Sequence, residues 1–288
     1  MHKKERQRRP RSLREQTMPA EREGGMSEKK KKTDIVAKIP NWAWLLLSFA
    51  AAMLLWFLLS VNPSTARSFP FLPKILEALG TMVERGALLG DFRSSMISVA
   101  LGFLLGFVTA VPVAFLMAWY RPVCYIVEPW IQFIRNIPPL AYVPLVVIAA
   151  GVGRRPQVIV IWLATFLTMT ITIYQGVKNI DETLIKAARV LGAKDKDLFV
   201  KVIFPATTPF IITAIRLGVS VALTTLIAAE STGAVAGLGM RIRSLNNSFE
   251  VAPMLLYIII IGIIGITCEK LIKMAERRLT GWQEKREF

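Results

Sequence analysis

Residues 181–209, DETLIKAARVLGAKDKDLFVKVIFPATTP, form the longest polar interruption in a chain that otherwise consists mostly of apolar runs. Within this stretch, apolar residues recur at spacings of three and four, at Leu184, Ala187, Ala188 and Leu191. That spacing predicts a short helix over residues 183–193 with one apolar face. Gly192 follows this face, at a position where a residue with positive φ commonly ends a helix.

A second amphipathic segment follows at residues 195–204, with its large apolar residues on one side. Pro205 and Pro209 then begin a new apolar run. Proline is tolerated in the first turn of a helix because its missing N–H would have no partner there. Two short amphipathic helices joined by a glycine, and placed between two membrane spans, predict a surface on which a partner docks.

This element resembles the EAA loop of ABC importer permeases, the inner-membrane subunits of binding-protein-dependent transporters. The family pattern is Glu-Ala-Ala, three residues, Gly, a longer gap, and then a hydrophobic residue before Pro. The chain matches this spacing at Lys186-Ala187-Ala188, Gly192 and Phe204-Pro205. It departs from the pattern at Lys186, where the family has Glu. The departure weakens any inference of a specific salt bridge to the ATPase, but it leaves the shape of the element unchanged.

Other segments resemble the same family. Residues 69–92, FPFLPKILEALGTMVERGALLGDF, are similar to its outer segment, and residues 135–153, RNIPPLAYVPLVVIAAGVG, are similar to its nitrate/sulfonate/taurine branch. The Gly-Leu-Gly at residues 237–239 and the basic C-terminal end also fit. The resemblance extends over residues 42–282, so the basic N-terminal tail lies outside it.

Composition agrees with a membrane protein. The chain has a formal net charge of +16 and yet a mean hydropathy of +0.47. These values conflict in a soluble domain and agree in a membrane protein with basic cytoplasmic ends. The basic residues cluster at the termini and in one loop rather than along a folded face, which argues against nucleic-acid binding.

Catalytic and metal-ligating patterns are missing from the sequence. Cys124 and Cys268 are far apart without metal-ligand spacing, and His2 is the one histidine. We therefore expect no metal site, no cofactor and no enzymatic activity in this chain. Any ATP would be used by a partner subunit.

Apolar runs long enough to cross about 30 Å of hydrocarbon predict about six spans. They are placed at residues 42–60, 94–119, 126–150, 158–177, 210–229 and 254–267. Between them we expect a surface helix at residues 74–84, a tight outer turn at 151–157 carrying Arg154 and Arg155, and an outer re-entrant or loop segment at 231–250. The predicted fold is an all-α polytopic membrane protein with a cytoplasmic coupling helix.

The predicted domain organisation is a basic, disordered tail at residues 1–41, a permease domain at 42–282 and a cytoplasmic end at 283–288. Lysine and arginine are concentrated in residues 1–41, 178–201 and 270–286. The positive-inside rule then places both termini and the 181–209 loop on the cytoplasmic side of the membrane. The family resemblance implies that this is a bacterial inner membrane. Met26 follows residues 21–25, Glu-Arg-Glu-Gly-Gly, whose codons can all be purine-rich, as a translated ribosome-binding site would be. We therefore hypothesise that Met26 is the natural start.

Two spans carry residues that favour packing within one subunit. Gly102 and Gly106 are four residues apart and permit close helix approach, which we assign to packing within the subunit rather than to a dimer seam. The fourth span is rich in threonine, at Thr165, Thr168, Thr170 and Thr172. Their hydroxyls can bond to carbonyls of their own helix, so they do not by themselves indicate a polar path.

Four residues are candidates for the substrate pathway. Pro138 and Pro139 break the third span, so its backbone either lines a cavity or is kinked inside the protein. Arg216 lies inside the fifth span, where it either contacts an anionic substrate or has a structural role, reaching toward the cytoplasmic interface or pairing with a carboxylate. Glu230, at the other end of that span, is a candidate for lining an outer vestibule.

The resemblance implies a homodimer of permeases in the lipid bilayer, two cytoplasmic ABC ATPase subunits and an extracytoplasmic solute-binding protein. The helix at 183–193 would couple to the ATPase through the docking residues Leu184, Lys186, Ala187, Ala188, Leu191, Gly192 and Pro205. The solute would be a small anion of the sulfonate, taurine or nitrate type.

Other functions stay open. They are an ABC permease for bicarbonate or a vitamin precursor, an ion-coupled secondary transporter, and a membrane scaffold. A secondary transporter usually needs ionisable groups near the bilayer midplane, whereas the acidic residues Glu128, Glu230 and Glu269 fall near span ends.

Overall fold

The computed structural model describes residues 40–279, and the regular elements within that range are all helical. In chain order the α-helices are α1 (Asn41–Val61), α2 (Leu72–Glu84), α3 (Ala87–Trp119), α4 (Arg121–Arg135), α5 (Pro139–Ala150), α6 (Arg154–Lys178), α7 (Glu182–Val190), α8 (Asp195–Leu198), α9 (Phe204–Glu230), α10 (Leu238–Asn247) and α11 (Val251–Leu279). A π-helical turn, Phe199–Ile203, joins α8 to α9. The predicted disordered tail, except for its last two residues, and the predicted end at 283–288 lie outside the described residues.

The chain divides into two compact units, one ending at Asn62 and the other beginning at Pro63. The first contains α1, a 21-residue helix that is almost entirely apolar and about 30 Å long. The second contains α2–α11. The predicted permease domain at 42–282 includes parts of both units.

The prediction of about six membrane spans is confirmed. Within residues 40–279, five helical segments are long and apolar enough to cross a membrane, and the pair α4 and α5 makes a sixth if it is counted as one span. That pair is bent by 103°. The bend falls at Pro138, as the sequence predicts, because a residue before proline is disfavoured in the α conformation and Pro138 has ψ 133°.

Helix α6 forms the centre of the second unit, packed between α3 and α9. Gly102 on α3 allows this approach, since a Cβ there would lie 2.7 Å from the Cβ of Ile161. Gly106 abuts Thr165 in the same way, so both glycines pack within the chain, as predicted. The threonines of α6 also behave as predicted: Thr165, Thr168, Thr170 and Thr172 each donate to the carbonyl four residues earlier.

The fifth span differs from its prediction. The sequence suggested a separate short helix at 195–204 and a span from residue 210, but the structure is continuously helical from Asp195 to Glu230. Pro205 cannot donate a backbone hydrogen bond, and the ladder shifts just before it, where the Phe204 N–H bonds to the Phe199 carbonyl five residues earlier. The π-helical turn therefore accommodates the proline without a break in the helix.

The structure also refines two connecting segments and shifts the ends of two helices. Helix α6 begins at Arg154, so Arg154 and Arg155 lie in its first turn, and the tight turn is confined to residues 151–153. Gly151 and Gly153 have φ of 82° and 119°, which explains why the turn is so short. The predicted outer re-entrant or loop segment at 231–250 contains the helix α10. Helix α3 begins at Ala87 and α11 extends to Leu279, both beyond the predicted spans.

The surface helix predicted at 74–84 is present as α2. It buries Ile75, Ala78 and Met82, which recur at spacings of three and four. This face packs against α3 and α11. Its position along the outer membrane surface stays a prediction.

Candidate functional site

Helix α7 begins at a conventional N-cap. The Asp181 carboxylate accepts a hydrogen bond from the Thr183 backbone N–H at 2.8 Å, which satisfies one of the free donors at the helix start. This hydrogen bond lowers the pKa of Asp181 below its usual value, because it favours the charged form. The start of α7 is therefore encoded by residues two positions apart.

Gly192 ends α7, as the sequence predicts. It has φ 83°, and its N–H donates to the Arg189 carbonyl at 3.0 Å. The Ala193 N–H donates to the Ala188 carbonyl at 3.0 Å. These two bonds form a Schellman motif, which requires a left-handed residue at the glycine position. The helix itself, Glu182–Val190, is slightly shorter than the predicted 183–193.

The structure separates α7 into two apolar faces where the sequence predicted one. Ile185 and Ala188 are half-buried and pack against the hydrophobic cluster that includes Leu198 and Ile203. The opposite side is exposed. Its apolar members are Leu184 (53% exposed), Ala187, Val190 (87%) and Leu191 (87%).

The sequence pattern therefore grouped Ala188 with the wrong side of the helix, and it missed Ile185 and Val190. Spacing alone does not separate the two faces, because Ala188 lies four residues after Leu184, on the side of an ideal helix that also carries Ala187 and Leu191. The outward face is the part of α7 that a partner could cover.

Lys186, the departure from the family pattern, is paired within its own helix. Its Nζ lies 2.8 Å from Glu182 Oε2, and both side chains are largely exposed. The hydrogen bond from Lys186 lowers the pKa of Glu182, and the same bond raises the pKa of Lys186. Pro205, the last predicted docking residue, lies in the first turn of α9 and is also exposed. Whether these residues touch an ATPase stays a prediction.

Arg216 pairs with a carboxylate, which is one of the two alternatives left open by the sequence. Its Nη2 forms an ion pair with Glu276 Oε2 on α11. The Nε of Arg216 is buried and has no hydrogen-bond partner among residues 40–279. Arg216 also lines a cavity of about 540 Å³ between α9 and α11, together with Ser220, Thr224 and Glu269. Its role toward a solute stays a prediction.

Glu230 does not line an open vestibule within this chain, because it is only 1% exposed. Its Oε1 accepts from the Ser95 hydroxyl at 2.7 Å, and its Oε2 accepts from the Gly239 N–H at 2.8 Å. The Leu238 N–H donates to the Ser95 Oγ at 2.8 Å. Glu230 and Ser95 thus satisfy backbone donors at the start of α10, where a negative charge is favourable.

A second buried carboxylate, which the sequence pattern did not predict, lies beside Glu230. Asp91 is 2% exposed and accepts from Arg241 Nε at 2.8 Å. The Tyr257 hydroxyl donates to it at 3.1 Å, and the Gly237 N–H donates at 3.2 Å. Together these contacts tie α3, α10 and α11 to one carboxylate. The one available signal was an acidic residue and an arginine in predicted outer segments, and pattern alone does not pair them.

We call this network, formed by Asp91, Ser95, Glu230, Arg241 and Tyr257, the α10 end. We call α7 and the adjacent ends of α3, α4 and α6 the α7 end. The two lie at opposite ends of α6, because the residue before α6, Gly153, bonds to the Gly233 carbonyl, whereas α7 follows the last turn of α6. Among residues 40–279, no group of three or more His, Cys, Asp or Glu side chains is arranged to hold a metal ion.

Known proteins similar to this chain are transport proteins. Residues 102–281 match the family described as binding-protein-dependent transport system inner membrane component. A probable ABC transporter permease protein of Brucella abortus (strain 2308) is 42% identical over 249 residues, which cover 86% of this chain and 99% of that protein.

Two more distant relatives are named for their solutes. The taurine transport system permease protein of Escherichia coli (strain K12) is 34% identical over 189 residues, covering 66% of this chain and 69% of that protein. The nitrate import permease protein of Leptolyngbya laminosa is 27% identical over 206 residues, covering 72% and 74%.

The fold is also similar to a solved transporter. An inward-facing structure of a methionine ABC transporter superposes with a TM-score of 0.58 at 18% identity, over 67% of this chain and 95% of that one. At this identity the likeness concerns the fold alone. The family match and the Brucella relative decide the assignment: the chain belongs to the family of binding-protein-dependent transport system inner membrane components, the permease subunits of ABC importers.

Proposed function

We propose that this permease imports a small anionic solute of the sulfonate, taurine or nitrate type. A separate ATPase docks on α7 and hydrolyses the ATP. A second copy of the chain completes the pathway, and an extracytoplasmic binding protein delivers the solute. The chain lies in a bacterial inner membrane, with α7 and both termini on the cytoplasmic side.

The outward face of α7 is the observation that carries this proposal. Leu184, Val190 and Leu191 are exposed on a helix that is anchored from behind by Ile185 and Ala188. Exposed apolar side chains grouped on one rigid element are typical of a protein interface. The element fits the docking role in the family to which the chain belongs.

The covalent path from α7 to the spans supports a coupling role. Four residues separate Val190 from Asp195, where continuous helix begins and runs to Glu230. A displacement of α7 would therefore act on α9, which packs against the central helix α6. For ATP to drive this movement, the ATPase must contact α7 differently in its two nucleotide states.

The solute class is supported by the relatives named for taurine and nitrate. We assign most of the selectivity to the binding protein, because the guanidinium of Arg216 is already engaged by Glu276. The bent segment at Pro138 and Pro139 is our candidate for lining the pathway. Glu230 is not, since its buried carboxylate is occupied by Ser95 and Gly239.

The test compares two exposed valines at opposite ends of α6. Val190→Glu places a charge on the outward face of α7, whereas Val152→Glu places the same charge in the 151–153 turn, where the valine is 72% exposed. Co-purification of the ATPase should fall about tenfold or more for Val190→Glu, since a charge buried unpaired in an interface is costly. It should be unchanged for Val152→Glu. Equal ATPase recovery from both variants would remove α7 from the docking site.

The alternative hypothesis, an ion-coupled secondary transporter, is tested by measuring solute uptake in proteoliposomes that contain the permease, the ATPase and the binding protein. Accumulation of taurine or nitrate in the proteoliposomes should require ATP. It should persist when ion gradients across the membrane are collapsed. Accumulation that follows an ion gradient without ATP would contradict the proposed function. Uptake of bicarbonate in place of both solutes would keep the transport class and change the solute.

A further inference from the structure

A cavity of about 570 Å³ lies behind α7, between it and the adjacent ends of α3, α4 and α6. The back of α7 contributes Ile185 to its wall, and the segment before α7 contributes Ile180. The rest of the wall comes from the ends of α3, α4 and α6 and from Ile203 in the π-helical turn. The cavity is therefore on the opposite side of α7 from Leu184, Val190 and Leu191.

The charged residues of this cavity leave a net positive charge. Arg121 at the start of α4 and Lys178 at the end of α6 both line it, and Glu128 is the one carboxylate among its lining residues. Glu128 Oε2 lies 3.1 Å from the Cys124 sulfur, so part of its capacity to accept hydrogen bonds is directed at the thiol. The Lys178 Nζ lies 5.8 Å from the centroid of the Tyr174 ring.

The rest of the wall is aromatic and aliphatic. Trp119, Tyr125 and Tyr174 line the cavity together with the two cations, and Phe115 and Ile203 add to its apolar wall. The volume lies within the range of about 300–1,000 Å³ that is usual for small-molecule sites. Apolar walls with a few convergent charged groups are the usual construction of such a site.

We propose that this cavity binds an anionic group attached to an apolar body, and that its occupancy changes how α7 is held against the bundle. Arg121 and Lys178 bind the anionic group, and the aromatic wall contacts the apolar body. Ile185 transmits occupancy to α7. The regulatory half of this inference rests on the proposed function, because it requires α7 to be the helix that engages the ATPase.

The binding half is tested by the charge preference of a thiol reagent at Cys124, which lines the cavity. Cys268→Ser leaves Cys124 as the single thiol of the chain. The full-length chain in phosphatidylcholine nanodiscs is reacted with sulfonatoethyl methanethiosulfonate, an anion, and with trimethylammonioethyl methanethiosulfonate, a cation. The ratio of the two rates, corrected by their ratio on a free thiol, reports the local charge, because the reactivity of the thiol cancels.

The anionic reagent should be favoured about tenfold, because the net positive charge of the lining attracts anions. Arg121→Gln combined with Lys178→Gln should bring the ratio to about one, whereas Glu128→Gln should raise it. Arg135→Gln combined with Lys201→Gln removes two cations outside the cavity and should leave the ratio unchanged. A parent ratio at or below one, or the same ratio in all variants, would overturn the site.

The anionic group could belong to a soluble molecule or to a lipid, and two arms separate these sources. Benzenesulfonate is added to the phosphatidylcholine nanodiscs in one arm, and phosphatidylglycerol replaces half of the lipid in the other. Slower Cys124 labelling in the first arm identifies a soluble anion, and slower labelling in the second identifies a lipid. Protection in neither arm, or equal protection in the Arg121→Gln/Lys178→Gln variant, contradicts anion binding.

The regulatory half is measured as ATPase activity of the complex in the presence of the protecting anion. We expect at least a twofold change in the parent and no change in the Arg121→Gln/Lys178→Gln variant. Unchanged activity, with protection of Cys124 retained, would overturn regulation and leave the binding site. Failure of an ATPase to co-purify with the parent would instead contradict the proposed function.

Discussion

The α7 end and the α10 end of the bundle are built on opposite principles. At the α10 end, Asp91 and Glu230 are buried and accept hydrogen bonds from three helices and from backbone N–H groups. At the α7 end, the Glu182–Lys186 pair is exposed, and Leu184, Val190 and Leu191 face outward. The first end completes its polar contacts within the chain, whereas the second presents an apolar surface that residues 40–279 leave exposed.

The sequence distances follow the same division. Asp91 and Arg241 are 150 positions apart, and Ser95 and Glu230 are 135 apart. Asp181 and Thr183 are two apart, and Glu182 and Lys186 are four apart. Contacts of the second kind form within one helix, whatever the rest of the chain does. A preformed local element with an open apolar face is suited to docking, and a long-range network is suited to holding spans together.

The largest expected effect is at the α10 end. Asp91→Asn removes the charge that Arg241 and Tyr257 surround, and it places an amide against a guanidinium. We expect a loss of about 3 kcal/mol in the free energy of unfolding, since breaking a buried ion pair is strongly destabilising. Thermal unfolding of the detergent-purified chain measures it. Asp195→Asn, whose carboxylate is 77% exposed, serves as the control. Equal melting temperatures would show that the network is not structural.

A somewhat smaller effect is expected where α3 packs against α6, between the α7 end and the α10 end. Gly106→Ala drives a Cβ into Thr165, whereas Gly90→Ala in the same helix meets nothing within 4 Å. Overpacking should cost about 2 kcal/mol at Gly106. At Gly90 the same change should be neutral or gain up to about 1 kcal/mol, because alanine favours helix. Chemical unfolding of both variants tests this, and equal stabilities would contradict the close packing of α3 on α6.

Substitution of Gly192 should act locally at the α7 end. Gly192→Ala places a side chain at φ 83° and should cost about 1 kcal/mol. Amide exchange should accelerate at residues 188–193 and stay unchanged in α10. Gly192→Pro cannot adopt this φ, so we expect it to abolish transport while membrane insertion is retained. Wild-type uptake by Gly192→Pro would argue against the docking assignment.

The smallest effect is expected at the N-cap. Asp181→Ala should modestly accelerate exchange of the first amides of α7, whereas Asp181→Asn, which keeps an acceptor, should change it less. The folded-state pKa of Asp181 is lowered, so its contribution is complete above the usual pKa of an aspartate and is lost as pH falls through the lowered value. Hydrogen exchange read by mass spectrometry at neutral pH compares the variants. Exchange as slow in Asp181→Ala as in the parent chain would show that the cap contributes nothing.

Much of the fold was predictable because its signals are local. Apolar runs located the spans, Pro138 and Pro139 located the 103° bend, and Gly192 located the end of α7. The prediction failed where a local signal was ambiguous. Pro205 indicated a new helix, but a π-helical turn carries the helix past it. At 231–250 the glycines left a re-entrant or a loop segment open, and the structure has the helix α10 there, with buried carboxylates that accept from N–H groups at its start.

The sequence alone determined the class of the protein, the approximate number of spans and the position of α7, because hydrophobicity, capping and glycine conformation act over a few residues. Only the tertiary structure decided that Arg216 pairs with Glu276, that Glu230 is buried rather than open, and that α7 has an inward and an outward face. These outcomes depend on which helices pack together. A buried charge takes whatever partner that packing brings within hydrogen-bond distance, and residues far apart in sequence carry no mark of it.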